Sequence, residues 1–135
     1  MTPEQIELIR YRTARSHEAL EEARLLLTNG HLHTAANRIY YACFYVASAL
    51  LLGEGLSSPK HSGVRALFDR HWIKTGRIPK ELGRSYRRFY EMRQKGDYAD
   101  FAAFDAADIR LRLAEAESFV RAITEKVREA TERVG

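Results

Sequence analysis

The stretch AANRIYYACFYVASALLLG, residues 35–53, constrains the fold more than any other part of the chain. Wound as a helix from about His33 to Leu52, it sets Ala35, Ala36, Ile39, Tyr40, Ala42, Cys43, Phe44, Val46, Ala47, Leu50 and Leu51 on nearly every side. A helix apolar almost all round has to be enclosed, so further helices are expected to wrap it. Asn37, Arg38 and Ser48 interrupt the run, which reads as too short and too polar for a bilayer needing about 20 apolar residues. Cys43 has no second cysteine to pair with and reads as a buried, inert thiol.

The remaining segments carry one-sided helical stripes. Thr2-Pro3-Glu4-Gln5 is a helix start, with a capping threonine, proline at the first helical position and a glutamine able to close a capping box. Ile6, Ile9, Leu20, Ala23 and Leu27 follow on one face, Thr13 and Ser16 interrupt it, and Asn29-Gly30 stops the helix. Ser58-Pro59 opens a third helix, with Val64, Leu67, Phe68 and Trp72 as its stripe and Gly76 as its close. Pro79 opens a fourth, with Leu82, Tyr86, Phe89 and Tyr90 at helical spacing, ending near Gly96. Asp105 is the expected cap of the last helix, whose stripe is Ile109, Leu113, Ala116, Val120, Ile123 and Val127. No segment alternates with the period of a strand. The expectation is an all-α, single-domain antiparallel bundle of five helices over residues 1–135, a length that suits one core. MTPEQIELIR lacks the basic and apolar regions of an export signal, so a cytoplasmic protein is expected.

The charge is concentrated. Residues 60–95 hold 11 Arg and Lys against 3 Asp and Glu, a balance of +8, between flanks of −1 and −3. A basic middle suits phosphate or an acidic partner. It suits equally a solvated face whose arginines pair with acids on neighbouring helices.

Known catalytic and metal patterns are missing. His31 and His33 stand two apart at a helix start, and His61 and His71 lie on different helix faces, so neither a metal nor another cofactor is expected. The richest stretch is GRSYRRFYEMRQKGDY, residues 83–98, where Arg84, Arg87, Arg88, Arg93 and Lys95 alternate with aromatic rings. Arginine clamps phosphate and tyrosine stacks on bases, yet Tyr86, Phe89 and Tyr90 serve equally well as core. Arg93 stands three turns beyond Leu82 on the core-facing edge, where a charge needs a partner. Gly96 is expected to turn the chain so that Asp97 and Tyr98 supply one.

Three stretches together resemble the HEPN family: AANRIYYACFYVASALLLGEG, KHSGVRALFDRHWIKTG and YRRFYEMRQKGDYAD. The resemblance implies a small all-α protein, often a homodimer and often encoded beside a minimal nucleotidyltransferase; from the composition of its apolar run, no membrane partner is expected. In catalytic members an arginine is followed four to six residues later by a histidine, and copies from two protomers cut RNA without metal. The arginine corresponds to Arg93, but no histidine follows His71, and Asp97 and Tyr98 stand at the matching distance. An ordinary aspartate can accept a proton but not supply one at neutral pH, so His61 of Lys-His-Ser-Gly is the residue that would restore an acid.

Two expectations follow. One is a binding protein that holds nucleotide or RNA in a basic cleft formed by Arg93, Asp97, Tyr98, Lys60, His61, Arg87, Arg88 and Lys95, and that partners a nucleotidyltransferase. The other is a metal-independent ribonuclease, the toxin of a toxin–antitoxin pair, working through Arg93, Asp97, Tyr98 and His61. A dimeric bundle with Arg93–Asp97 as a structural ion pair is the third possibility.

Overall fold

The computed structural model describes residues 1–98 and 103–133, with Tyr98 described in its backbone only. Among the described residues five α-helices follow one another: α1 (Pro3–Thr28), α2 (Leu32–Leu52), α3 (His61–Phe68), α4 (Lys80–Tyr98) and α5 (Ala106–Glu132). α2 touches all four others and is the axis of the bundle. By length and composition alone α2 could cross a membrane, contrary to the reading of that run as too short and too polar. Its burial decides its role: 67% of the span is enclosed by the bundle.

The capping signals operate as their chemistry requires. Thr2 accepts from the Gln5 amide at 3.1 Å while the Gln5 side chain accepts from the Thr2 amide at 2.8 Å. Asp105 accepts from the Ala107 amide at 2.9 Å. Ser16, a polar interruption in α1, is fully buried and donates to the Ala42 carbonyl of α2 at 2.6 Å, which satisfies it inside the core.

Two helix boundaries differ from expectation. The third helix begins at His61 rather than at Ser58-Pro59, and Ser58 instead accepts from the Lys60 amide at 3.2 Å. A Cβ on Gly63 would fall 2.1 Å from Ser58 Oγ, so the glycine of Lys-His-Ser-Gly lets this serine fold down against the helix. At its other end α3 widens into a π turn, Asp69–Ile73, before Gly76 at φ 74° reverses the chain. Arg77 lies 3.5 Å over the Trp72 ring and donates to Glu54 at 2.7 Å, tying the turn to the α2–α3 loop. α4 approaches the turn closely, since a Cβ on Gly83 would meet Ile73 at 3.1–3.2 Å. This fixes the groove between α3 and α4.

Four of the largest fully buried side chains, Phe68, Tyr86, Phe89 and Phe119, meet where α3, α4 and α5 converge. Phe119 of α5 lies 5.9 Å from Phe68, 6.0 Å from Tyr86 and 5.9 Å from Phe89, ring centre to ring centre. Tyr86 and Phe89 are therefore core, while Tyr90 is half-buried and borders the site described next.

Candidate functional site around Arg93

Adjacent residues of a helix point about 100° apart, so the Tyr40-Tyr41 step cannot send both rings into the core. Tyr40 is fully buried and Tyr41 half-buried, facing the edge where α4 passes. There the α4 stripe that runs through Phe89 ends on Arg93. Its guanidinium carbon stands 5.0 Å from the Tyr40 ring centre and 5.6 Å from that of Tyr41. Two further arginines approach the same aromatic surface: Arg38 lies 4.8 Å over Tyr41, and Arg65 lies 5.0 Å over Tyr90. Flat cations over ring faces are held by the ring quadrupole; Arg38 also donates from Nε and Nη2 to Asn37 Oδ1 and pairs with Glu22, while Arg65 has no acidic partner among the described residues.

The Arg93 side chain is 16% exposed. Asp97 Oδ2 sits 3.1 Å from Nε, one turn further along α4, yet off the N–H axis. Among the described residues that buried N–H has no hydrogen-bond partner. A buried donor without an acceptor is costly, and an anionic acceptor would relieve the cost.

His61, the first residue of α3, completes the cluster. Its ring stacks on Phe44 at 4.4 Å, and its Nδ1 shares a 2.8 Å hydrogen bond with the Tyr40 hydroxyl. Burial, and secondarily the Arg93 charge, hold the imidazole below its ordinary value, so it is neutral at neutral pH. Burial also pushes the Tyr40 phenol up, keeping it protonated. The phenol then donates to Nδ1, and the imidazole proton resides on Nε2.

A group whose folded value is depressed stabilises the fold fully above its unfolded value, here about 6.5, and loses that contribution as pH falls below it. Wild type should therefore lose more melting temperature than His61→Gln between about pH 7.5 and about pH 5.5, a range that brackets the ordinary histidine value. Equal losses would mean that His61 does not titrate with unfolding.

The eight expected site residues separate into groups. Arg93, Asp97 and His61 come together. Lys60 is exposed, immediately before His61. Arg87 is exposed toward the α3–α4 groove and pairs with Glu91 at 3.0 Å. Arg88 faces α5, where its Nε donates to Glu115 at 2.8 Å beside Ser85 and Arg112. Burial would raise the Glu115 carboxyl, but hydrogen bonds from Arg88 and Ser85 and the charge of Arg112 bring it below its ordinary value. Lys95 donates to the Ala103 carbonyl at 3.0 Å and lies 5.0 Å over Phe104. The Tyr98 side chain lies outside the described residues.

Gly96 does not end the helix, as its residue type suggested. α4 runs through it to Tyr98, and a Cβ there would meet the Phe104 ring at 3.2 Å. This glycine serves close packing, and Asp97 reaches Arg93 along the same helix rather than by a chain reversal. Tyr41, Arg38 and Arg65 were not singled out from the sequence as site residues. The signal available was the pair of adjacent tyrosines, one of which has to leave the core.

The chain is similar to known proteins over most of its length. A family model described as HEPN domain matches residues 9–133. A UPF0332 protein of Thermotoga maritima is 48% identical over 89% of this chain and 91% of its own. A UPF0332 protein of Gloeobacter violaceus is 40% identical over 73% of this chain and 75% of its own. A protein of Methanocaldococcus jannaschii named "Putative toxin" is 35% identical over 84% of each chain.

Proposed function

This chain belongs to the HEPN domain family, and we propose that it binds nucleotide or RNA through a phosphate group held by Arg93. The observation that carries this reading is the buried Arg93 N–H without a hydrogen bond, on a guanidinium braced against Tyr40 and Tyr41. A phosphate oxygen is the acceptor such a fork suits best. The half-buried Tyr41 ring offers a face for a neighbouring base. The protein acts as a homodimer with the Arg93 cleft at or near its interface, and pairs with a minimal nucleotidyltransferase. Exposed Tyr11, Leu25 and Leu111 support a further apolar contact.

Fluorescence anisotropy with a labelled oligoribonucleotide tests the binding. Affinity should fall as salt rises, because bound phosphates release counterions. Charge reversal at Arg93 should weaken it far more than reversal at Arg121 and Arg128 together. No binding by wild type at low salt would end this reading. Light scattering at micromolar concentration should give twice the 15.5 kDa chain mass, and the chain mass alone would count against the dimer.

A second reading is favoured by His61 lying in the same cluster, and by the toxin names of relatives. In metal-independent RNA cleavage, Asp97 would accept the 2′-hydroxyl proton as that oxygen attacks phosphorus. The imidazolium form of His61, whose share grows as pH falls, would protonate the departing 5′-oxygen from Nε2 and return to neutral imidazole, and Arg93 would hold the phosphorane charge. Cleavage of RNA in excess chelator that disappears in both His61→Gln and Arg93→Ala would support it. Intact RNA after prolonged incubation with wild type would exclude it.

A further inference from the structure

A groove of about 620 Å³ runs between α3 with its π turn and α4, on the flank of the Arg93 cluster, and Arg65, Lys80, Arg84, Arg87, Tyr86 and Tyr90 are in its walls. Its basic character comes mainly from α4. Lys80, Arg84 and Arg87 follow one another at intervals of four and three residues, which places them along one helix side over about 10 Å. Two of them are held loosely: Arg84 pairs with Glu81 and Arg87 with Glu91, all of them more than half exposed. Such pairs contribute little and exchange readily for a better anion. Arg65 and Lys80 have no acidic partner among the described residues. Asp69 is the acid in the wall, and Lys74 pairs with it at 3.6 Å.

The groove borders the Arg93 site through the Tyr90 ring. Arg65 lies over one ring, Tyr90, whose centre is 6.0 Å from that of Tyr40, and Tyr40 in turn lies under Arg93. A chain of phosphates leaving Arg93 thus meets Arg65 next and then the row on α4. Tyr86, one of the wall residues, has a buried hydroxyl without a hydrogen-bond partner among the described residues. The groove's volume exceeds what one phosphate needs and falls in the range of ligand pockets.

We infer that this groove is a second subsite for single-stranded RNA, holding the phosphodiester backbone of the nucleotides that follow the one bound at Arg93. The inference rests on the phosphate reading of Arg93 and adds the path of the strand and the side of the bundle it follows. An acidic peptide would satisfy the cations but would leave unused the ring faces of Tyr90 and Tyr41 that line the path.

The test compares a mononucleotide, 5′-AMP, with a hexauridylate in wild type, Arg93→Ala and the double variant Lys80→Ala/Arg87→Ala, all at matched salt. Both groove residues are exposed, so the double variant should melt with wild type. It should bind AMP as wild type does, bind the hexamer about ten-fold more weakly, and show a salt slope shallower by about 1.4, the value for two lost phosphate contacts on a single strand. Arg93→Ala should lose both ligands. Unchanged hexamer affinity in the double variant overturns the groove while leaving Arg93 intact. Loss of hexamer binding in the double variant, with AMP binding indifferent to Arg93→Ala, supports the groove and removes the Arg93 reading. Hexaglutamate competing as well as the hexamer would overturn RNA as the occupant in favour of an acidic protein segment.

Discussion

Arg93→Ala should abolish RNA binding and cost the fold only about 1–2.5 kcal/mol. The small stability cost follows from what the side chain contacts. Asp97 is one-third exposed, so removing Arg93 leaves it in contact with water rather than stranded in the core. With the basic residue N-terminal to the acid, an i,i+4 helix pair has its weaker orientation and contributes roughly 0.5 kcal/mol at most. The ring contacts to Tyr40 and Tyr41 add about 0.5–1 kcal/mol each. A buried structural ion pair would behave differently, because breaking it costs about 3–5 kcal/mol. Denaturant melts and RNA titrations on the same samples separate the two. A loss above about 3 kcal/mol with RNA binding retained would make the cluster structural.

The largest stability effect is expected at Phe119. Its ring is fully buried and meets Phe68, Tyr86 and Phe89, so one side chain of α5 joins α3 and α4. Truncation to alanine removes its transfer energy and opens a space that three large rings cannot collapse to fill. Phe119→Ala should destabilise by about 3–5 kcal/mol, against less than about 0.5 for Leu111→Ala, whose side chain is in solvent. Comparable losses at the two positions would mean that the α3–α4–α5 junction is not the core of the bundle.

The sequence made the helices legible because their stripes and caps are local features. Thr2 with Gln5, Asp105, and the apolar positions from Ile109 to Val127 depend on neighbours a few residues away, and α2 declares itself central by having no polar face. Glycine was less readable. Gly96 has the residue type of a helix stop, but Phe104 from beyond the helix occupies the space a Cβ would need, a tertiary contact with no local signature. The start of α3 was misplaced for a related reason, since Ser58 caps no helix and folds against Gly63.

The candidate site divides in the same way. Arg93 and Asp97 announce themselves as polar residues continuing an apolar stripe. His61 stands 32 residues before Arg93, on the preceding helix, and its place beside Tyr40 follows from how α3 leans on α2. Arg87 and Arg88 are adjacent in sequence and equally basic. Their 100° separation on α4 sends one to the groove and the other to Glu115 of α5, so only Arg87 is left beside the proposed strand. Charge counted along a sequence cannot distinguish them.

The planar fork of Arg93 is what the account depends on, and lysine at that position keeps the charge while removing the fork. The decisive measurement is therefore the affinity of Arg93→Lys for an oligoribonucleotide, taken with its melting temperature. The account predicts a protein that melts with wild type and binds RNA at least about ten-fold more weakly, the loss expected when a bidentate contact becomes a point charge. A variant that melts well below wild type yet binds RNA as tightly would contradict it.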